Sequence, residues 1–129
     1  MREPTAWWLQ TSERDLDVAR LLIDQGYHET AAFHCQQACV KALKALFVEQ
    51  GESERSHSIL ELLTRLRQTG LEISEELFHP ARKLDRSYLD SRYPNALGGP
   101  PEKFYDEKTS RELVEWAQSV MDFAKSNLS

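Results

Sequence analysis

One segment governs what this chain can fold into. Residues 31–47 read AAFHCQQACVKALKALF. At about 100° per residue, the step implied by 3.6 residues per turn, His34, Gln37, Lys41 and Lys44 share one narrow polar strip. Ala32, Phe33, Cys35, Cys39, Val40, Leu43, Leu46 and Phe47 cover nearly all of the remaining surface. A surface helix shows its neighbours a single apolar stripe, whereas an arc this wide needs partners on two or three sides. The pattern predicts a central helix from about His28 to Gln50, stopped by Gly51, and too broad to hide inside the wall of one subunit's bundle. Gln36 falls in the middle of the arc. A buried amide left unpaired costs roughly 1–3 kcal/mol, so a bonding partner is expected close by.

The flanking segments carry the same helical period. Leu9, Ser12, Leu16, Ala19 and Ile23 recur at three- and four-residue steps, predicting a helix from about Pro4 to Gln25, with Pro4 suited to its first turn and Gly26 to its stop. Asp15 lies on the edge of that stripe, and a half-buried carboxylate there wants a donor or a cation. A short helix over 57–69 opens on the capping-box pattern Ser58-x-x-Glu61, buries Ile59, Leu62, Leu63 and Leu66, and ends at Gly70. A fourth helix spans about Ser74 to Asp90, with Pro80 forcing either a kink or a late start near His79. A fifth begins near Asp106 or at Thr109-x-x-Glu112 and turns Leu113, Trp116, Ala117, Val120 and Phe123 inward, ending near Asn127. No stretch alternates with period two, so strands are not expected. The fold class is therefore all-α: an up-and-down bundle of about five helices, in one domain over residues 1–129, with a long loop at 91–105 before the last helix.

Charge narrows the function classes. The net charge of -5 argues against bulk attraction to phosphate backbones. Residues 82–111, however, carry 7 basic and 5 acidic side chains, the only net-positive stretch. The longest apolar runs are a few residues, too short for a membrane span. Cys35 and Cys39, four apart on one helix, read as two buried free thiols in a reducing cytoplasm. The four histidines share no metal-helix spacing, no phosphate-cradling glycine loop is present, and no nucleophile elbow appears. Neither a catalytic set, a metal site nor a cofactor is expected. Ser56 and Ser58, beside His57, read as helix caps rather than nucleophiles.

The candidate ligand-binding residues are Arg92, Tyr93, Asn95, Lys41, Lys44 and His57. Arg92 precedes Tyr93-Pro94, a pair that leaves helical geometry. Its guanidinium can lock the turn onto Asp85 or Asp90, or offer a planar fork to a phosphate. Tyr88, Tyr93, Phe104 and Tyr105 can stack on bases or pin the loop to the bundle. The His34–Lys44 strip is a solvated face, or else it faces the basic loop and helps hold an anion.

Asp15-Leu16 with Ala19, AAFHCQQACVKALKALF at 31–47, HSILELL at 57–63 and LDRSYLDSRYPNA at 84–96 together resemble the HEPN (higher eukaryotes and prokaryotes nucleotide-binding) domain family, in the family's own order along nearly the whole chain. The resemblance implies an all-α bundle and a homodimer, which suits the wide arc of the second helix. It also implies one of several roles: metal-independent ribonuclease, nucleotide binder, or partner of a small nucleotidyltransferase in a toxin–antitoxin pair. The family's ribonuclease signature, an arginine followed after four to six residues by a histidine, is absent: Leu97, Gly98 and Gly99 occupy those positions after Arg92, and Ser91, Arg92 and Tyr93 after Arg86. The expectation is a non-catalytic cytoplasmic member that binds a nucleotide or RNA, with an atypical ribonuclease as the alternative.

Overall fold

The computed structural model describes residues 1–128. Among them six α-helices follow one another: α1 (Glu3–Asp24), α2 (His28–Glu49), α3 (Ile59–Gln68), α4 (Phe78–Asp90), α5 (Pro94–Leu97) and α6 (Glu107–Ser126). Among the described residues there is no strand, and no helix is long and apolar enough to cross a membrane.

α1 and α2 form the main antiparallel pair. Their joint is short because Gly26 takes φ 85°, a left-handed turn that side-chain-bearing residues rarely adopt. Small residues let the backbones approach: Ser12 Oγ donates to the Ala38 carbonyl at 2.7 Å. At the far end the Arg2 amide and the Thr5 hydroxyl each donate to Glu49 at 2.8 Å, tying the start of α1 to the end of α2. α6 covers a second side of α2 with Leu113, Ala117, Val120, Met121 and Ala124, while α3 and α4 close the third.

Of the 22 residues of α2, 13 are buried, all by elements of the same chain. The wide arc is therefore central, as its pattern predicts, but it is satisfied within one subunit. The expectation that it exceeds one bundle's capacity is corrected: α1, α3, α4 and α6 surround it, and its breadth calls for no second copy.

The ends of the helices show where side-chain chemistry decides. Ser58 accepts from the Glu61 amide at 3.1 Å and caps α3. The reciprocal half of the box is not made, because Ser56 Oγ takes the Ser58 amide at 3.0 Å and the Glu61 carboxylate pairs with Ser56 and Arg65. α4 starts late, at Phe78, after a 3-10 turn over Glu75–Leu77. Pro80 thus falls in its first turn, where no intrahelical amide bond is lost. Asp106, not Thr109, caps α6, its carboxylate accepting the Thr109 amide at 2.8 Å. The long loop is also more ordered than expected. Pro94 starts the single turn α5, Gly98 (φ 74°) ends it, and a 3-10 turn follows at Pro101–Lys103.

Candidate ligand-binding site

The site forms where α4 ends. Pro94 holds Tyr93 in extended geometry (φ -119°, ψ 121°), so the chain turns sharply and leaves Arg92 exposed at the corner. Arg92 Nε donates to the Tyr88 carbonyl at 2.8 Å. Its guanidinium carbon sits 4.5 Å from the centre of the Phe33 ring, 4.6 Å from Tyr88 and 5.0 Å from Tyr93. Three π faces stabilise the cation and fix its plane. Among the described residues no carboxylate pairs with it, and its terminal amino groups donate to no protein acceptor. The alternative in which Arg92 locks onto Asp85 or Asp90 is not made: Asp85 is committed elsewhere, and Asp90 lies on the opposite flank of α4.

Asp85 caps α3 from another helix. Its carboxylate accepts the Ile59 amide (2.8 Å), the Leu60 amide (3.0 Å), Ser58 Oγ (2.9 Å) and Gln36 Nε2 (3.1 Å). A negative group at a helix start satisfies orphan amides and the helix dipole together. Gln36, fully buried, finds the partners its position demands: Nε2 also donates to the His57 carbonyl at 2.6 Å, and Oε1 accepts from Gln37 at 2.7 Å. This network holds the backbone of His57, whose exposed ring stacks on Tyr88 (centroids 5.4 Å apart, planes 23°). Phe33 completes the cluster, 6.3 Å from Tyr88 and edge-on to His34 at 5.7 Å.

The fold thus brings Arg92, Tyr93 and His57 onto one surface around Tyr88. Asn95, three residues beyond Arg92, is exposed on α5. Lys41 and Lys44 are engaged on the α1 side. Lys41 Nζ lies 2.6 Å from Asp15 Oδ2, an ion pair off the hydrogen-bond direction, and His34 Nδ1 lies 3.2 Å from Oδ1. Burial pushes the Asp15 carboxyl up, but His34 and Lys41 outweigh it and hold it below its usual range. Lys44, buried, lies over the Trp8 ring at 5.7 Å, and burial lowers its pKa. Phe33, Gln36 and Asp85 are site-building residues absent from the sequence-derived set. Phe33 and Gln36 had only their helical phase as a signal, and Asp85 only its place in the LDRSYLDSRYPNA run.

The family described as HEPN domain matches residues 5–127. A crystal structure of TT1696 from Thermus thermophilus superposes with a TM-score of 0.94 at 31% identity, covering 98% of this chain and 100% of that one. ST0689, an archaeal HEPN homologue, gives 0.82 at 32% identity and 100% coverage of both. A Methanocaldococcus jannaschii protein bearing the name "Putative toxin MJ1304" is 23% identical over 130 residues, spanning 94% of this chain and 86% of that protein.

Proposed function

The chain belongs to the HEPN domain family, and from that premise we propose that it is a non-catalytic, toxin-like member that binds a nucleotide or RNA at the Arg92 corner. It acts in the cytoplasm as a homodimer, alongside a small nucleotidyltransferase partner. One observation carries the ligand reading. Arg92 is a rigid, exposed guanidinium, gripped by three aromatic rings, with both terminal amino groups uncommitted. Locking the turn needs only the Nε bond to Tyr88 and no charge. A planar fork left free beside exposed rings is suited to bidentate contact with a phosphate, with a base stacking on Tyr93 or His57. Asn95 supplies a polar group at the same edge. Lys41 and Lys44 already serve Asp15 and Trp8 and add only their field.

The toxin-like role rests on the likeness to the Methanocaldococcus protein named as a toxin. The cytoplasmic setting agrees with two unpaired cysteines. The test of ligand binding is a melting series with ATP, GTP and a short single-stranded RNA. A true ligand at a hundredfold excess over its Kd adds roughly 2.7 kcal/mol of stability. We expect one of the three to raise the Tm of the wild type and not of Arg92→Ala. No rise with any of them ends the binding reading. Coexpression with a small nucleotidyltransferase, taken from an adjoining gene where the genome holds one, followed by size-exclusion chromatography, tests the partner and the dimer together. A lone monomer peak ends both.

A second reading keeps one specific observation. His57 and Arg92, 35 positions apart in the chain, both pack on the Tyr88 ring, so a base and a cation share one surface without the family's signature spacing. That pair meets the minimum for moving a proton off a 2′-hydroxyl beside a phosphate. Cleavage of tRNA without metal, lost in His57→Ala, supports an atypical ribonuclease; intact RNA ends it.

A further inference from the structure

A cavity lies on the opposite flank of α4 from the Arg92 corner. Lys83, Arg86 and Asp90 fall about half a turn around the helix from Asp85, Tyr88 and Arg92, so they face away from the Arg92 corner. The cavity opens between α4 and α6, under the loop that carries α5, and measures about 310 Å³. Its walls are aromatic. Trp116 is held edge-on by His79 at 5.6 Å. The Tyr105 hydroxyl donates to buried Ser87 at 3.2 Å, and Phe104 lies against Gly99.

The rim is charged and unpaired. Lys83 and Arg86 stand with Asp90 and Glu112, two cations and two anions. Among the described residues none of the four makes an ion pair, although Arg86 and Asp90 are one helical turn apart. Elsewhere the similarly exposed Arg65, Arg67 and Arg111 each find a carboxylate. Burial pushes the Tyr105 hydroxyl's pKa up, and Asp90 adds to the effect while Arg86 opposes it, so both charges act on the aromatic wall.

We infer that this cleft is a binding site for a flat zwitterion of amino-acid size, an aromatic amino acid being its simplest form. The carboxylate meets Arg86 and Lys83, the ammonium meets Asp90 and Glu112, and the ring lies among Trp116, Tyr105 and Phe104. Three features select that class. The lining carries no net charge, so polyphosphates and RNA gain nothing from it. The volume is at the small end of ligand pockets, which run from about 300 to 1,000 Å³. The walls offer stacking faces rather than a ladder of hydrogen-bond groups.

Calorimetric titration with L-tryptophan, indole-3-acetate and tryptamine tests it. Tryptophan is expected to saturate at one site per chain. Indole-3-acetate, lacking the ammonium, and tryptamine, lacking the carboxylate, are each expected to bind about tenfold more weakly, the loss of one charged hydrogen bond. Arg86→Ala and Glu112→Gln, both exposed helix positions, should weaken tryptophan by about the same factor. Absence of saturable binding, equal affinity for all three compounds, or unchanged affinity in both variants overturns the inference.

Discussion

Replacing Asp85 by alanine tests the network beneath the candidate site. The wild-type carboxylate accepts two amides of the first turn of α3, the Ser58 hydroxyl and one hydrogen of Gln36. Losing the amide bonds is equivalent to losing an N-cap, worth about 1 kcal/mol, and losing the negative charge at the helix start costs about 0.5 kcal/mol more. Gln36 is fully buried and keeps only the His57 carbonyl, a further cost of about 1–2 kcal/mol. Water reaches the half-buried carboxylate and replaces part of the rest, so the expected loss is about 3 kcal/mol. For a chain of this size that lowers Tm by about 12 °C. Asp85→Asn keeps one acceptor oxygen and no charge, and should lose about half as much. Thermal unfolding followed by circular dichroism gives both numbers, and hydrogen exchange should show the Ile59 and Leu60 amides losing protection in Asp85→Ala. A Tm drop below about 3 °C, with those amides still protected, would show that α3 does not depend on Asp85.

Other outcomes follow from the same interactions. Since His34 and Lys41 hold the folded Asp15 pKa below its unfolded value, the stability this gives is present above the unfolded pKa and is lost as pH falls through the folded one. Asp15→Asn should therefore flatten the acid limb of a Tm-versus-pH curve below about pH 5, and an acid limb as steep as wild type would contradict the pairing. Burial pushes the Cys35 thiol up to about 12 and raises Cys39 well above its usual range, so neither should react with a thiol reagent in the native protein at pH 8, while both react in denaturant; fast native labelling would contradict their burial. Gln36→Leu strips the His57 carbonyl of its amide donor and Asp85 of one of its four, and should destabilise by about 1–3 kcal/mol in a urea titration; a neutral result would mean water replaces the amide freely.

The bundle was legible because helical period and stop signals are local. The polar strip on α2, the glycine after α1 and Ser58 before α3 each lie within a few residues of what they control. What escaped was decided across the chain. Asp85 caps a helix that starts 26 positions earlier, and nothing in the local sequence distinguishes it from Asp90. The start of α6, by contrast, was local: the sequence offered Asp106 or Thr109, and Asp106, in extended geometry, makes the cap. The arc of α2 suggested a second copy, since the reach of α1, α3, α4 and α6 around it depends on packing angles that a single helix's pattern does not contain. Within the candidate site, Arg92 and Tyr93 announced themselves through the proline that follows. His57 joined them only because Gln36 and Asp85 bring the start of α3 against α4. Lys41 and Lys44 showed the same charge in sequence, yet Asp15 and Trp8 on α1 had first claim on them.

The proposed role of Arg92 is to meet a phosphate and not merely to hold its own turn. Fluorescence anisotropy of a labelled form of whichever of ATP, GTP and short single-stranded RNA raises the wild-type Tm tests it, comparing wild type with Arg92→Gln and with Arg14→Gln, a surface arginine on α1 outside the cluster. Saturable wild-type binding is expected, with a loss of about tenfold or more in Arg92→Gln and little change in Arg14→Gln. Equal affinity in wild type and Arg92→Gln, or the same loss in both variants, would contradict it.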